Sequence, residues 1–202
     1  MTISIPTTLA GLRHCMRSTE QTAGMSVLEH GLQVARYFED LRRHILMGEP
    51  LKYEWKLPEW TYDKTLWSNL LPLAMVRRYH WFHDAGKPFC REVDELGRVH
   101  FPDHARVTGE LWETLTGESD VARLMAMDMD VHLLKGEDVL SFAKRPEAAT
   151  LLLTGLAEVH ANAAMFGGID STSFKIKHKH LKRRGNAIVR ALNESSIQGE
   201  AA

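Results

Sequence analysis

A histidine and an aspartate stand side by side at His83-Asp84, followed by Ala85, Gly86, Lys87 and Pro88. An imidazole and a carboxylate presented together at a helix end can reach one metal ion, and the second carboxylate oxygen can reach another. Lys87 adds a positive charge suited to a phosphate oxygen. Asp84 and Lys87 are therefore the candidate catalytic residues, with Lys87 also a candidate for substrate binding.

The elements that would position this pair are helical. A helix over about 70–85 carries Leu73, Val76, Tyr79 or His80 and His83 at steps of three to four, with Gly86 placed to end it and Pro88 forbidding continuation. Upstream, Ser26-Val27-Leu28-Glu29 fits a capping box, and Val27, Val34, Phe38, Leu41 and Ile45 then recur at helical spacing with His30 in the same row. Downstream, Asp94-Glu95-Leu96-Gly97 is a turn between extended pieces 89–93 and 98–101, which predicts a small hairpin. Asp103 can cap a helix over 104–116 that opens with His104 and stops at Gly117. Another helix starts at Asp120 with Val121, Met125 and His132 in one row, and a longer one over 146–166 places Ala149, Leu153, Leu156, His160 and Ala164 on one face.

His30, His83, His132 and His160 thus point inward from four helices, and His104 opens a fifth. One buried histidine is ordinary; five, with Asp84 beside one of them, leave many polar atoms to satisfy in a dry core, which a metal centre would do. Imidazole with a bridging carboxylate suits iron, manganese, cobalt, nickel or zinc, so one or two divalent transition metal ions are the expected cofactors.

Composition bounds the rest. The chain has 202 residues, 44% hydrophobic and 25% charged, with a formal net charge of -1. That argues for one domain over 25–192, preceded by a loosely attached lead-in over 1–24 and followed by a disordered tail over 193–202. Two cysteines without metal-type spacing, no apolar run long enough to span a bilayer and no signal-peptide pattern at the N-terminus predict a cytoplasmic protein with no membrane partner. The segment 48–70 is an aromatic-rich insertion that either packs the core or serves as a lid or base-stacking surface. Ser171-Thr172-Ser173 and the cation-dense start of the last helix are candidates to hold phosphates, through Ser173, Lys175 and Lys177; the basic helix is also a candidate RNA-binding face, or simply a solvated one.

The order His30, then His83-Asp84-Ala85-Gly86-Lys87, then His104, then His132 resembles the HD-domain metal-dependent phosphohydrolases. The local likeness is to the HD domain of bacterial CCA-adding tRNA nucleotidyltransferases, where a His-Asp-x-Gly-Lys-Pro motif precedes an acidic-Gly turn and a Val-or-Ile-His-Phe-x-x-His segment, as in Asp94 to His104 here. The resemblance covers about 25–166 and implies an all-α HD-domain helical bundle with the small hairpin after the His-Asp helix. It implies that His30, His83, Asp84 and His160 hold one metal, with Asp84 bridging to a second on His104 and His132. His160 stands where the family has an aspartate; Glu158 and Asp170 are the alternatives. The activity implied is hydrolysis of a nucleotide or cyclic nucleotide by metal-activated water. The competing reading is a non-catalytic nucleotide- or RNA-binding module on a degenerate core. A homo-oligomer formed through an outer helix is a further candidate assembly.

Overall fold

A computed structural model describes residues 4–22 and 24–200, with side chains as far as Glu194. Helices α1 (Leu9–Ser18) and α2 (Val27–Met47) flank the short antiparallel pair β1 (Glu20–Thr22) and β2 (Met25–Ser26). Next come α3 (Lys64–Ser68), α4 (Leu73–Phe82) and the hairpin of β3 (Glu92–Val93) with β4 (Val99–His100). Helices α5 (His104–Thr116), α6 (Ser119–Ala126), α7 (Asp130–Leu133), α8 (Val139–Ala143), α9 (Ala148–Ala161) and α10 (Thr172–Glu200) complete the chain. The fold is all-α, and the strands are confined to two small pairs among the described residues.

The chain forms two compact units, one of Met1–Gln33 with Ala74–Met129 and one of Val34–Leu73 with Asp130–Ala202. In the first, the predicted capping box starts α2: the Ser26 hydroxyl accepts from the Glu29 N–H and the Glu29 carboxylate accepts from the Ser26 N–H, at 3.2 and 2.9 Å. The lead-in is packed rather than loose. Thr8 caps α1 by accepting from Gly11 N–H, and Leu12 and Met16 on its inner face are fully buried. Helix α5 lies against α6 at Gly109, and the Phe82 and Trp112 rings meet at 4.9 Å to close the core beside α4.

Two helix ends differ from the sequence reading. Helix α4 stops at Phe82, so His83 and Asp84 lie in the turn beyond it rather than on the helix. Gly86 has a φ of -75°, so it does not end the helix by left-handed geometry. A side chain there would instead run into the His104 carbonyl and into Thr108. The glycine is needed for close approach, and the contact is closed by Gly86 N–H donating to Thr108 Oγ1 at 2.8 Å. Asp103 adopts a left-handed φ of 54° with no side-chain cap, a conformation aspartate tolerates better than most residues.

In the second unit α9 is buried on all sides, with Leu151, Leu152, Leu153 and Leu156 inaccessible to solvent, so its apolar pattern marks a core helix rather than one inward face. Helix α10 packs on it through Phe174, Leu181 and Ile188. The tail expected to be disordered continues this helix to Glu200, and Asn193 donates to Asp63 Oδ2 at 2.8 Å; residues 201–202 lie outside the described residues.

The aromatic insertion is mostly packing. Tyr53 stacks on Tyr37 at 4.3 Å, Trp55 lies 4.5 Å from the His160 ring, and Trp60 and Trp67 are buried. The buried Asp40 organises it by accepting from the N–H groups of Lys52 and Tyr53 and from Trp55 Nε1, all between 3.0 and 3.2 Å. Asp40→Ala leaves these donors without their acceptor and is expected to destabilise the chain by about 3 kcal/mol. Urea unfolding followed by tryptophan fluorescence measures this, and an unchanged midpoint would show that Asp40 does not hold the insertion.

Candidate metal centre

The first unit gathers its ionisable groups around one carboxylate. Asp84 is 1% exposed. Its Oδ2 lies 3.5 Å from His30 Nε2 and 3.4 Å from His83 Nε2, and its Oδ1 lies 3.4 Å from His104 Nε2. Lys87 donates to Oδ2 at 2.7 Å. Burial alone would push the Asp84 carboxyl up, but the Lys87 ammonium and the His83 and His30 rings hold it well below the usual carboxylate range.

Each ligand arrives for a local reason. His30 closes the first turn of α2, and the neighbouring Gly31 lets that helix touch the His80 and Trp81 carbonyls of α4, where a Cβ would come within 2.8 Å. His83 Nδ1 donates to the His80 carbonyl at 2.9 Å, and His104 Nδ1 donates to the Phe101 carbonyl at the same distance. In the neutral rings this leaves each Nε2 as a lone pair turned toward Asp84. Two lone pairs and a carboxylate face one another over about 3.4 Å. A proton or a metal cation between them reconciles the arrangement, and fixing the far nitrogen on a backbone carbonyl is how metal-binding histidines are oriented.

A second carboxylate completes the centre. Asp128, in the turn after α6, is buried and accepts from Tyr79 Oη at 2.6 Å. Two groups have mutually close donor atoms, within 4.8 Å: His30, His83 and Asp84, and Asp84, His104 and Asp128. They share Asp84, so the site can hold one ion or a pair bridged by that residue. The donors are imidazole nitrogens and carboxylate oxygens without thiolate, which fits iron, manganese, cobalt, nickel or zinc.

The sequence reading placed His30, His83, Asp84, His104 and Lys87 here, and the structure brings them together. It places His132 and His160 in the second unit, and neither belongs to a metal-competent group among the described residues. His132 Nε2 pairs with Glu158 Oε2 at 3.1 Å. His160 has both nitrogens engaged: Nδ1 donates to the Leu156 carbonyl at 2.8 Å and Nε2 accepts from Lys56 N–H at 3.0 Å. Asp170, the third alternative, is exposed and pairs with Lys56 at 2.7 Å. Ser173, Lys175 and Lys177 are exposed on the first turns of α10, also in the second unit.

Two residues at the centre were missed. The spacing of Val121, Met125 and His132 predicts one continuous helix, whereas α6 ends at Ala126 and α7 starts at Asp130, and Asp128 lies in the break between them. An aspartate between Met127 and Met129, with a core tyrosine needing an acceptor, was the available signal. Gln21 lies in β1 and accepts from Lys87 Nζ at 3.0 Å; nothing in the polar lead-in marks it. No protein-family model, curated protein or solved structure matches the chain. The geometry and donor chemistry therefore stand on their own.

Two predictions follow from these environments. The purified chain should bind a divalent transition metal, measured by elemental analysis and titration calorimetry. Asp84→Asn should weaken that binding at least about 100-fold and Asp128→Asn should weaken or remove a second equivalent; an Asp84→Asn protein that still binds as tightly as the wild type would exclude this centre. Separately, the His160 ring is held down to about 4, chiefly by burial and further by the nearby His178 and Lys56 charges, against the Leu156 carbonyl which raises it. The unfolded chain takes up this proton near 6.5, so it binds more protons than the folded chain between about pH 6.5 and 4. Stability should fall by about 3 kcal/mol as the pH drops through that window. Unfolding free energies across the window should decline less in His160→Gln, and an equal decline would exclude this ring as the cause.

Proposed function

We propose that the chain is a metal-dependent phosphohydrolase of the HD type, acting on a nucleotide or cyclic nucleotide. The observation that carries this reading is the buried Asp84 carboxylate, with histidine Nε2 atoms facing both of its oxygens and the Lys87 ammonium beside it. A transition metal bound there lowers the pKa of a water toward neutrality and offsets phosphate charge. The chain's own residues supply the remainder. The carbonyls of His80 and Phe101 hold the His83 and His104 tautomers, and Tyr79 orients Asp128.

Lys87 has three N–H donors, of which Asp84 and Gln21 take two, leaving one for a non-bridging phosphate oxygen. Its ammonium also lies 5.5 Å from the centre of the Phe101 ring, which favours a cation at that position. The charge that builds on phosphorus-bound oxygen during attack is thus met by a cation already fixed in place, and no side chain must reorganise to provide it.

The test is a nucleotide screen on manganese-loaded protein, reading phosphate release and product identity by chromatography. Hydrolysis of at least one nucleotide, lost in Asp84→Asn, is the expected result. Absence of bound transition metal together with no hydrolysis of a generic phosphodiester in added manganese would leave the chain as a binding module. Within the active enzyme, Lys87→Ala should lower kcat about 100-fold, the size of effect seen when one preorganised donor is removed, while metal affinity holds or rises because a like charge is gone. Gln21→Leu should lower kcat by a smaller factor, about tenfold, with metal affinity unchanged. A Lys87→Ala enzyme with undiminished kcat would remove the lysine from the reaction.

A further inference from the structure

The second unit carries a cationic stripe that the metal centre does not use. From Lys175 to Arg190, α10 contains seven lysines and arginines and no acidic residue. Lys175, Lys179, Lys182, Arg183 and Arg190 are exposed and fall within about a third of the helix circumference, over about 22 Å of its length. Among the described residues none of these five has a carboxylate within 4.0 Å, and the one acid near the helix start, Asp170, is paired with Lys56. The apolar residues of α10, Phe174, Leu181, Ile188 and Val189, are buried in the same unit. Five like charges stand in a row without a close ion pair among the described residues, and Asp170 feels the charge of Lys175 from a distance.

An aromatic strip lies alongside. The loop after α2 runs in the same direction as α10 and is tied to it at three points. His178 Nε2 donates to the Lys56 carbonyl at 2.6 Å, Trp60 Nε1 donates to the Lys182 carbonyl at 3.3 Å, and Asn193 donates to Asp63 at 2.8 Å. Gly185 lets Trp60 lie directly on the helix, since a Cβ there would collide with the indole. Between the second and third ties Tyr62 stands 57% exposed. Residues 178, 182, 185 and 193 share one side of the helix, continuous with the stripe at Lys182, and the exposed Tyr62 ring lies 6.4 Å from the His44 ring of α2.

We propose that this face of the second unit binds the sugar-phosphate backbone of single-stranded nucleic acid, with a base stacked on Tyr62. A groove of cations beside an exposed aromatic is the general means of holding a single strand without reading its sequence. An anionic membrane fits less well, because surface-binding helices bury an apolar face in lipid and, among the described residues, the exposed face of α10 offers only Ile176 as a large hydrophobe. A protein partner fits less well too, since lysines are depleted from the centres of protein interfaces. This inference stands apart from the phosphohydrolase reading and holds or fails without it.

The test uses the full chain and fluorescently labelled DNA and RNA oligonucleotides of about 12 nucleotides, within the span such sites cover, read by anisotropy at several salt concentrations. Binding is expected at low salt, weakening with a log–log slope of about -0.7 for each phosphate neutralised. Lys175→Glu/Lys179→Glu/Arg183→Glu should weaken it at least tenfold and reduce the slope by about 2. Tyr62→Ala should weaken it about tenfold with the slope unchanged. Lys52→Glu/Lys144→Glu, a control on exposed lysines of the same unit outside α10, should change it less than threefold. Circular dichroism confirms that each variant is folded, and Lys175→Ala/Lys179→Ala replaces the triple variant if that one is not. No binding at low salt, equal weakening by the control pair, or tighter binding to anionic lipid vesicles or polyglutamate than to oligonucleotides would overturn the proposal.

Discussion

The charge on Asp84 is the constraint on which the first unit depends. An ionised carboxylate removed from water is strongly unfavourable unless cations and donors surround it. Here the Lys87 ammonium does so directly, and three imidazoles drawn from α2, from the turn after α4 and from the start of α5 stand around the carboxylate at 3.4 to 3.5 Å. The backbone is shaped to bring them there. Gly86 can approach α5 only because it lacks a side chain, and its N–H closes onto Thr108, whose hydroxyl in turn donates to the His104 carbonyl at 2.7 Å. That small linkage sets how close His104 stands to the second oxygen of Asp84. A wider separation would leave the carboxylate one-sided, able to serve a single ion and not a bridged pair.

How much of this was legible in the residues depends on which physical signal each one left. His83 and Asp84 are adjacent, so their chemistry shows in the order of letters alone. His30 and His104 were found from helix starts, where capping patterns are local and strong. The hairpin over 92–100 followed from its turn residues in the same way. Asp128 and Gln21 left no such mark. One lies in a three-residue break between helices that periodicity runs straight through, and the other in a strand of three residues whose partner is a lysine 66 positions away. Local rules cannot register a contact at that separation.

The opposite error came from reading an inward row as a functional one. Helical periodicity told correctly that His160 is buried, and it lies on a helix whose every face is covered. Periodicity says that a residue leaves water; it carries no information on what the residue meets. The aromatic insertion shows the same limit from another side, since five tyrosines and tryptophans between prolines look like a stacking surface, yet Trp60 and Trp67 are buried and Trp55 is held by the buried Asp40.

His83, His104 and His160 make the distinction chemical. All three donate Nδ1 to a backbone carbonyl between 2.8 and 2.9 Å, so all three have the same tautomer. What separates them is the group that the other nitrogen faces. For His160 it is the Lys56 N–H, a donor that satisfies the lone pair and, with burial, keeps the ring neutral. For His83 and His104 it is a carboxylate oxygen, which a lone pair cannot satisfy and which calls for a cation between the two. A buried histidine is thus structural or ligating according to the sign of its neighbour at Nε2. By that criterion the centre around Asp84 could hold a positive ion, whereas both nitrogens of His160 are already engaged by backbone groups.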